Sequence, residues 1–425
     1  LSNITMLRKC VRPESPAYRD HLPQRTTMQC NPSNIETKRV AIVGGGGHVG
    51  LPLGLLVCDI GHTVTLVDPD AARLAAIRAG KMPFLERGAE ELLARCLEGG
   101  RLLTHSDAAS LSDQDVVILT IGTPVDEYLD PSVRQFDHVI DGVLEHMRSG
   151  QLLIIRSTVF PGVTERLGRK VAERGPAVDI AYCPERIAEG HALEELTKLP
   201  QLVSGVTPAS CRRAAEFFRQ LGAGVIELST VEAELAKLFT NSYRYINFAI
   251  SNQFYMMAER FDADFLRIHA AVTTDYPRMR GFARSGFTGG PCLLKDTMQL
   301  ASFNHNLFAL GQTAMMVNEG LPSFLVEKLR TTRDLARETV GILGMAFKGD
   351  CDDPRSSLSY KLRKILLMDA RRVVCTDPYI ADPEFLPLET VLDLADVLIL
   401  GACHQEYRGL KTSKPIVDVF GFLSL

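Results

Sequence analysis

The residues with the most chemistry in them lie in one run, Gly286-Phe-Thr-Gly-Gly-Pro-Cys292-Leu-Leu-Lys295-Asp296. Two glycines lead into Pro291, which suits the first position of a helix. Cys292 then sits at a helix N-terminus, where the dipole and free N–H groups favour a thiolate. Lys295 and Asp296 follow at i+3 and i+4 and share its face. A thiol with a cation and a carboxylate beside it is what covalent catalysis requires. Further back, Lys237 and Asn241 are four apart on a helix-compatible stretch and can donate together to an alkoxide or a tetrahedral oxyanion. A third cluster, Gly45-Gly-Gly47-His48-Val49-Gly50, satisfies the G-x-G-x-x-G spacing. Its first glycine is expected to make the tight turn, its second to admit a pyrophosphate and its third to let helix and strand pack closely. Asp68, an acid at the end of the next strand, suits ribose hydroxyls and disfavours a 2′-phosphate, so the pattern indicates NAD and not NADP.

These groups need elements to hold them. Arg39–Val43 reads as a buried strand, Leu51–Ile60 as a helix and Thr63–Val67 as a second strand, the β-α-β unit of a nucleotide-binding half. Further strands are expected at Val116–Thr120, Leu152–Ile155 and Val178–Tyr182, with helices between them, hence a parallel, doubly wound sheet. Ser229-Thr-Val-Glu232 reads as a capping box opening a helix to Phe261, about 45 Å long at the usual rise. Its many aromatics suit either a spine between two domains that also meets a partner subunit or a core helix of one domain. A second α/β series follows: strand Thr339–Leu343, helix Leu358–Met368, strand Val373–Thr376, helix Leu388–Leu394, strands Asp396–Leu400 and Pro415–Val419.

Composition narrows the class. With 425 residues, 46% hydrophobic and 23% charged, the chain suits two or three globular domains. A net charge of -4 argues against a nucleic-acid platform. The ten cysteines include no C-x-x-C pair, so neither a zinc site nor a disulfide framework is expected, in keeping with a reducing cytosol. The most apolar stretch, Ala41–Cys58, is broken by glycines and His48 and is not a membrane span. No signal peptide is read at the start, and the polar first 35 residues have no clear period.

In order, these blocks resemble the UDP-glucose/GDP-mannose dehydrogenase family from about Lys38 to Val419. The matching motifs are GGGHVGLP at Gly45–Pro52, Gly122-Thr-Pro124, Ser157-Thr158-Val159, Pro184-Glu185 with Glu189, Glu234-Leu-Ala-Lys237 with Asn241, the Cys292 run, and Gly344-Met-Ala-Phe-Lys348 with Arg355-Ser-Ser357. The resemblance implies two Rossmann-like domains joined by a long central helix, and a homodimer through that helix. The implied division is an arm at 1–37, a NAD-binding domain at 38–228, a central helical region with the cysteine at 229–325 and a nucleotide-sugar domain at 326–425.

The resemblance also implies roles. Gly45, Gly47, His48, Val49, Gly50, Asp68, Arg73, Thr123 and Thr158 would hold NAD, with Lys295 and Arg355 reaching it from elsewhere. Glu185, Arg186, Ile187, Ala188, Glu189, Lys237, Asn241, Gly289 and Lys348 would hold the nucleotide sugar. Catalysis would fall to Thr158, Glu185, Glu189, Lys237, Asn241, Cys292 and Asp296. The implied reaction takes a sugar C6 hydroxyl to a carboxylate with two NAD in succession, through a Cys292 thiohemiacetal and thioester, Glu185 acting as base for hydrolysis. Departures from the UDP-glucose pattern (Arg186, Thr288, Pro291, Leu294 and Asp418-Val-Phe420) leave UDP-glucose, dTDP-glucose and an N-acetylhexosamine nucleotide open, and the Ala/Leu/Arg-rich composition leans toward dTDP-glucose. Two other readings are a two-electron β-hydroxyacid dehydrogenase, which needs neither Cys292 nor the second α/β series, and a catalytically silent NAD-binding regulator.

Overall fold

The computed structural model describes residues 36–123 and 133–423. Pro124 and the N-terminal arm up to residue 35 lie outside them. The expected strands form where apolar runs are long enough to be covered on both faces, as a parallel sheet demands. The first sheet contains β1 (Arg39–Val43), β2 (Thr63–Val67), β3 (Leu102–His105), β4 (Val116–Leu119), β5 (Leu152–Ile155), β6 (Asp179–Tyr182), β7 (Gln201–Gly205) and β8 (Val225–Glu227). Their spatial order is β3-β2-β1-β4-β5-β6-β7-β8. Val40 and Ile42 of β1 face one apolar layer with Leu51, Leu55 and Leu66, while Ala41 faces another with Val117, Leu153 and Ile155. The strand order reverses between β1 and β4, the place where doubly wound sheets open a ligand crevice.

One departure is that the sheet is mixed: β7 runs antiparallel to β6. The connection between them is spent on the Glu185–Gly190 loop and the short helix Ala192–Lys198, and the chain re-enters the sheet at the end it left. The second sheet, β9 (Thr339–Leu343), β10 (Arg372–Thr376), β11 (Val397–Leu400) and β12 (Ile416–Val417), is parallel throughout in the order β10-β9-β11-β12.

Between the sheets runs the central helix, Thr230–Arg260, opened by the expected box: Ser229 Oγ accepts from Glu232 N and the Glu232 carboxylate accepts from Ser229 N. It is a spine, packing along a cysteine helix (Leu293–Phe303) and a return helix (Ala309–Thr332) that leads into the second sheet. The return helix runs unbroken through residue 325, so the boundary expected there falls inside a continuous element. The aromatics divide by face. Tyr245 and Tyr255 are buried, whereas Phe239, Tyr243 and Phe254 are exposed.

The central helix also holds the loop before Cys292. Asn252 donates to Gly286 O at 3.1 Å and accepts from Gly286 N at 2.8 Å, while also donating to Asn318 Oδ1 of the return helix at 2.9 Å. Asn318 closes the set by donating to Tyr245 O. Both asparagines are fully buried, so every lost bond leaves an unsatisfied group. Asn252→Ala is expected to lower unfolding free energy by about 1–3 kcal/mol in a denaturant titration. An unchanged midpoint would show that this loop is held by other contacts.

Candidate active site

The glycine loop follows β1 directly. The tight turn is at Gly44, with φ +82°, one residue before the expected glycine. Gly50 is required by close approach: a Cβ there would lie 2.4 Å from Gly44 O. At Gly47 a Cβ would meet only Gly44 O, at 3.4 Å, so that side of the loop is open to a pyrophosphate. Asp68 is buried beneath the loop and accepts from Gly46 N at 3.0 Å, with the Arg73 stem lying over Gly46. His48 stacks on Phe84 at 4.1 Å between centroids, and burial and then Arg355 lower its pKa to about 4. A neutral imidazole adds no charge to this crevice. An open glycine cradle with a carboxylate at the second strand end fits an adenine dinucleotide. Val49 caps the following helix with no side-chain hydrogen bond.

The cysteine run folds close to expectation, with one shift. Cys292 is the N-cap and the helix starts at Leu293, so Pro291 precedes the cap. The adjoining Gly289 packs so closely on the C-terminal unit that a Cβ would lie 2.6 Å from Ser356 O. Asp296, one per cent exposed, organises the cluster. Asn241 Nδ2 donates to its Oδ2 at 2.5 Å, and Lys295 Nζ lies 3.2 Å from its Oδ1. A carboxylate only accepts, so the Asn241 edge facing it is the NH2, and the second amide hydrogen stays available. Lys295 also donates to Thr123 O and Oγ1 at 3.2 Å, tying the cysteine helix to the loop after β4. Lys237 is buried and makes no hydrogen bond or ion pair among the described residues. Thr158 is half-buried on a loop pinned from the central helix, where Glu234 accepts from Gly162 N and from Thr164 N and Oγ1.

Cys292 keeps accessible surface although protein surrounds it on most sides, as at the floor of an open cleft. Burial and then Asp296 raise its thiol above the ordinary cysteine range, and Lys237 and Lys295 oppose them. The thiolate expected from the helix terminus is therefore not favoured here, because desolvation and a neighbouring carboxylate outweigh the two lysines.

The Glu185–Gly190 loop differs from expectation in what it leaves free. Glu185 faces inward: Arg156 Nε donates to its Oε2 at 2.7 Å, and Arg186 N and Ile187 N donate to its Oε1 at 2.6 and 3.0 Å. With both oxygens engaged it braces the loop. Arg156, which carried no expectation, is fully buried, bonded also to Cys183 O and Gln201, and set over the Phe218 ring at 4.8 Å. Ala188 N donates to Glu195 and Gly190 N to Glu86, while the Arg186 guanidinium turns to Pro200 O. Of this loop, the Glu189 carboxylate keeps a buried oxygen without a partner. Lys348 donates to Glu189 O, and Arg355 NH2 lies 3.4 Å from Glu189 Oε1. Asp353, also not anticipated, grips Arg355 through Nε and NH2 at 2.6–2.9 Å. A crevice of about 710 Å³ opens elsewhere on the junction, between Glu86, Arg87, Glu91, Asp350 and Tyr379, and contains none of the expected residues.

A dinucleotide sheet, a bridging helix and a second Rossmann-like sheet define a two-domain NAD-binding dehydrogenase. Residues 38–222 match the UDP-glucose/GDP-mannose dehydrogenase family, NAD binding domain; residues 231–320 match its central domain, and residues 341–424 its UDP binding domain. The chain is similar to the UDP-N-acetyl-D-mannosamine dehydrogenase of Pyrococcus horikoshii, 28% identical over 383 residues, covering 88% of this chain and 91% of that protein. It is 26% identical over 389 residues to the UDP-glucose 6-dehydrogenase of Rickettsia conorii, covering 86% and 89%. A solved UDP-glucose dehydrogenase from Pyrobaculum islandicum superposes with a TM-score of 0.84 at 26% identity, over 93% of this chain and 98% of that one. The chain belongs to the UDP-glucose/GDP-mannose dehydrogenase family and is an NAD-dependent nucleotide-sugar dehydrogenase. The β-hydroxyacid dehydrogenase reading is thereby set aside. No described helix is long and apolar enough to cross a membrane.

The charges around Cys292 set a testable order. Removing a cation raises the thiol pKa further and removing the carboxylate lowers it. In the ligand-free protein, iodoacetamide labelling of Cys292 at fixed neutral pH is expected to be slower in Lys237→Met and faster in Asp296→Asn. The reverse order would show that the thiol does not sense these two groups.

Proposed function

We propose that the chain oxidises the C6 hydroxymethyl of a UDP-hexose to a carboxylate in two successive oxidations, with Cys292 as covalent nucleophile. The observation that carries this is the convergence of Cys292, Lys237 and Asn241 around the buried Asp296. Lys237 and the free Asn241 N–H donate to the oxygen at C6 as charge grows on it, and the Thr158 hydroxyl, unbonded among the described residues, orients a water beside it. Once C6 is at the aldehyde level, the Cys292 sulfur bonds to the carbonyl carbon and the oxygen takes a proton, giving a thiohemiacetal. Loss of the second hydride leaves a thioester. Water then adds, the C–S bond breaks and the thiol is restored. Bound NAD supplies the hydride acceptor in each oxidation, so two NADH and three protons form for each sugar and water consumed. A thiol suits this sequence because the aldehyde stays covalently held between oxidations.

The UDP binding domain match supports uracil over thymine, against the lean toward dTDP-glucose. Relatives named for UDP-N-acetyl-D-mannosamine and for UDP-glucose, each reaching 28% identity, support both sugars. The two-domain division, with the nucleotide of the sugar on the C-terminal unit and Lys348 and Arg355 at the junction, belongs to the same reading.

The exposed apolar face of the central helix supports a homodimer. Phe239, Tyr243, Ile250, Phe254, Met257 and Phe261 recur at spacings of three, four or seven residues, making one stripe, and each is 43–82% exposed. A second copy of the stripe on a two-fold axis would cover it.

Incubation with UDP-N-acetylmannosamine, UDP-glucose and dTDP-glucose, with NADH counted per sugar consumed, is expected to give two with the true substrate. One NADH and a released aldehyde would overturn the four-electron route. Cys292→Ser is expected to reduce uronate formation at least about 100-fold while NAD affinity is kept, and near-normal uronate formation would remove Cys292 from the mechanism. In light scattering, Tyr243→Glu with Phe254→Glu should yield a monomer from a dimeric parent; a parent already monomeric would overturn the dimer.

A further inference from the structure

The oxidation leaves one buried polar group of the cysteine helix unused. We propose that Gln299 anchors the nicotinamide carboxamide, its Oε1 accepting from the carboxamide NH2 and so fixing which face of the ring meets the sugar. This rests on the reading under Proposed function for the place of the reacting carbon.

Cys292, Lys295, Asp296 and Gln299 stand at i, i+3, i+4 and i+7 and share one face of the cysteine helix. That face divides. Asp296 turns to Asn241 of the central helix, whereas Lys295 Nζ and Gln299 Nε2 both end on Thr123 O, at 3.2 and 3.5 Å. Asp68 follows β2 and Thr123 follows β4, on opposite sides of β1 in the sheet. A dinucleotide laid across this reversal has its adenosine ribose at Asp68 and its pyrophosphate on the glycine loop, which puts its nicotinamide half beside Thr123. The ring must also come close to Cys292, because the carbon that sulfur attacks is the carbon that gives up the hydride. Both conditions place it along the edge formed by Lys295 and Gln299.

Donors and acceptors decide how the Gln299 amide is turned. Thr123 O only accepts, so the edge of Gln299 that meets it is the NH2, and Oε1 is left over. Gln299 is one per cent exposed, and its Oε1 has no partner among the described residues. A buried acceptor left unpaired is costly, and a ligand that brings a donor removes that cost. The pyridinium ring itself offers no N–H, whereas its carboxamide offers two. Lys295, the neighbouring cation, is already engaged by Asp296 and Thr123 and does not compete for Oε1. At 3.5 Å the bond from Nε2 to Thr123 is long, so the terminal amide turns at little cost to bring Oε1 to the incoming donor. The carboxamide is attached next to the ring carbon that accepts the hydride. Holding it keeps the ring from turning over about its bond to the ribose, and one face is then presented to the carbon at Cys292.

The test is calorimetric titration of the full chain with NAD, with 3-acetylpyridine adenine dinucleotide and with ADP-ribose. The acetylpyridine compound has a methyl group in place of the carboxamide NH2, and ADP-ribose lacks the pyridine ring. The parent chain is expected to bind NAD about tenfold more tightly than the acetylpyridine compound, as for one buried acceptor left unpaired. Gln299→Met should weaken NAD by about the same factor, leave the other two ligands unchanged and abolish the preference. A residue that only braces the Thr123 loop would weaken all three together. Gln299→Glu retains an acceptor of the same reach and should retain the preference. Thionicotinamide adenine dinucleotide keeps the NH2 and should rank with NAD on the parent chain, a comparison that needs no variant. Equal binding of NAD and the acetylpyridine compound by the parent chain would overturn the proposal. So would a thionicotinamide compound that ranks with acetylpyridine, a preference that survives in Gln299→Met, or equal weakening of all three ligands. If no nucleotide sugar reduces NAD but the preference still disappears in Gln299→Met, the substrate reading fails while the anchor stands.

Discussion

The buried carboxylate of Asp296 is the constraint on which the rest of the site depends. An anion one per cent exposed is tolerated only with partners, and its partners come from two elements: Asn241 on the central helix and Lys295 on the cysteine helix. Lys295 then reaches Thr123 of the first unit. Meeting one desolvated charge therefore aligns the nucleophile-bearing helix, the donor-bearing helix and the rim of the dinucleotide crevice. The same charge raises the Cys292 thiol, so the price of that alignment is a less acidic nucleophile, offset in part by Lys237.

The central helix turns this local contact into an architecture. Glu234 holds the loop carrying Thr158, Lys237 acts on the Cys292 thiol, Asn241 bonds Asp296, and Asn252 holds Gly286. Sites more than four turns apart on one rigid rod keep fixed separations, which loops alone would not ensure. Glycines at 289 and 290 let the cysteine loop approach the backbone and the Phe347 ring of the C-terminal unit, and Phe420 closes on Phe287 from the same side. The Asp418-Val-Phe420 segment thus braces the loop.

The two Rossmann-like units use one device for different ends. In each, an acid at the end of the second strand accepts from the loop after the first strand: Asp68 from Gly46 N, and Asp377 from Met345 N and Ala346 N. Asp377 is also bound by Tyr379 N, Ile380 N and His404 Nε2 and is fully buried. Its carboxylate is thus taken up by the loop, the turn after its strand and His404.

Much was legible in the sequence because it was encoded locally. The capping box at Ser229, the glycine loop, the apolar strand runs and the i, i+3, i+4 grouping of Cys292, Lys295 and Asp296 each depend on neighbours a few residues away, and helix or strand period carries that information. Motif order added the family, its cofactor and the set of residues to examine. The orientation of Glu185, the mixed strand β7, the raised Cys292 thiol and the helix crossing residue 325 could not be read in that way. Each depends on burial and on partners distant in sequence: Arg156 for Glu185, and Asn241 and Lys237 around Asp296 and Cys292. Local chemistry determined what kinds of group the cleft contains. Desolvation and long-range pairing, which exist only once the chain has folded, decided which of those groups stay free to react.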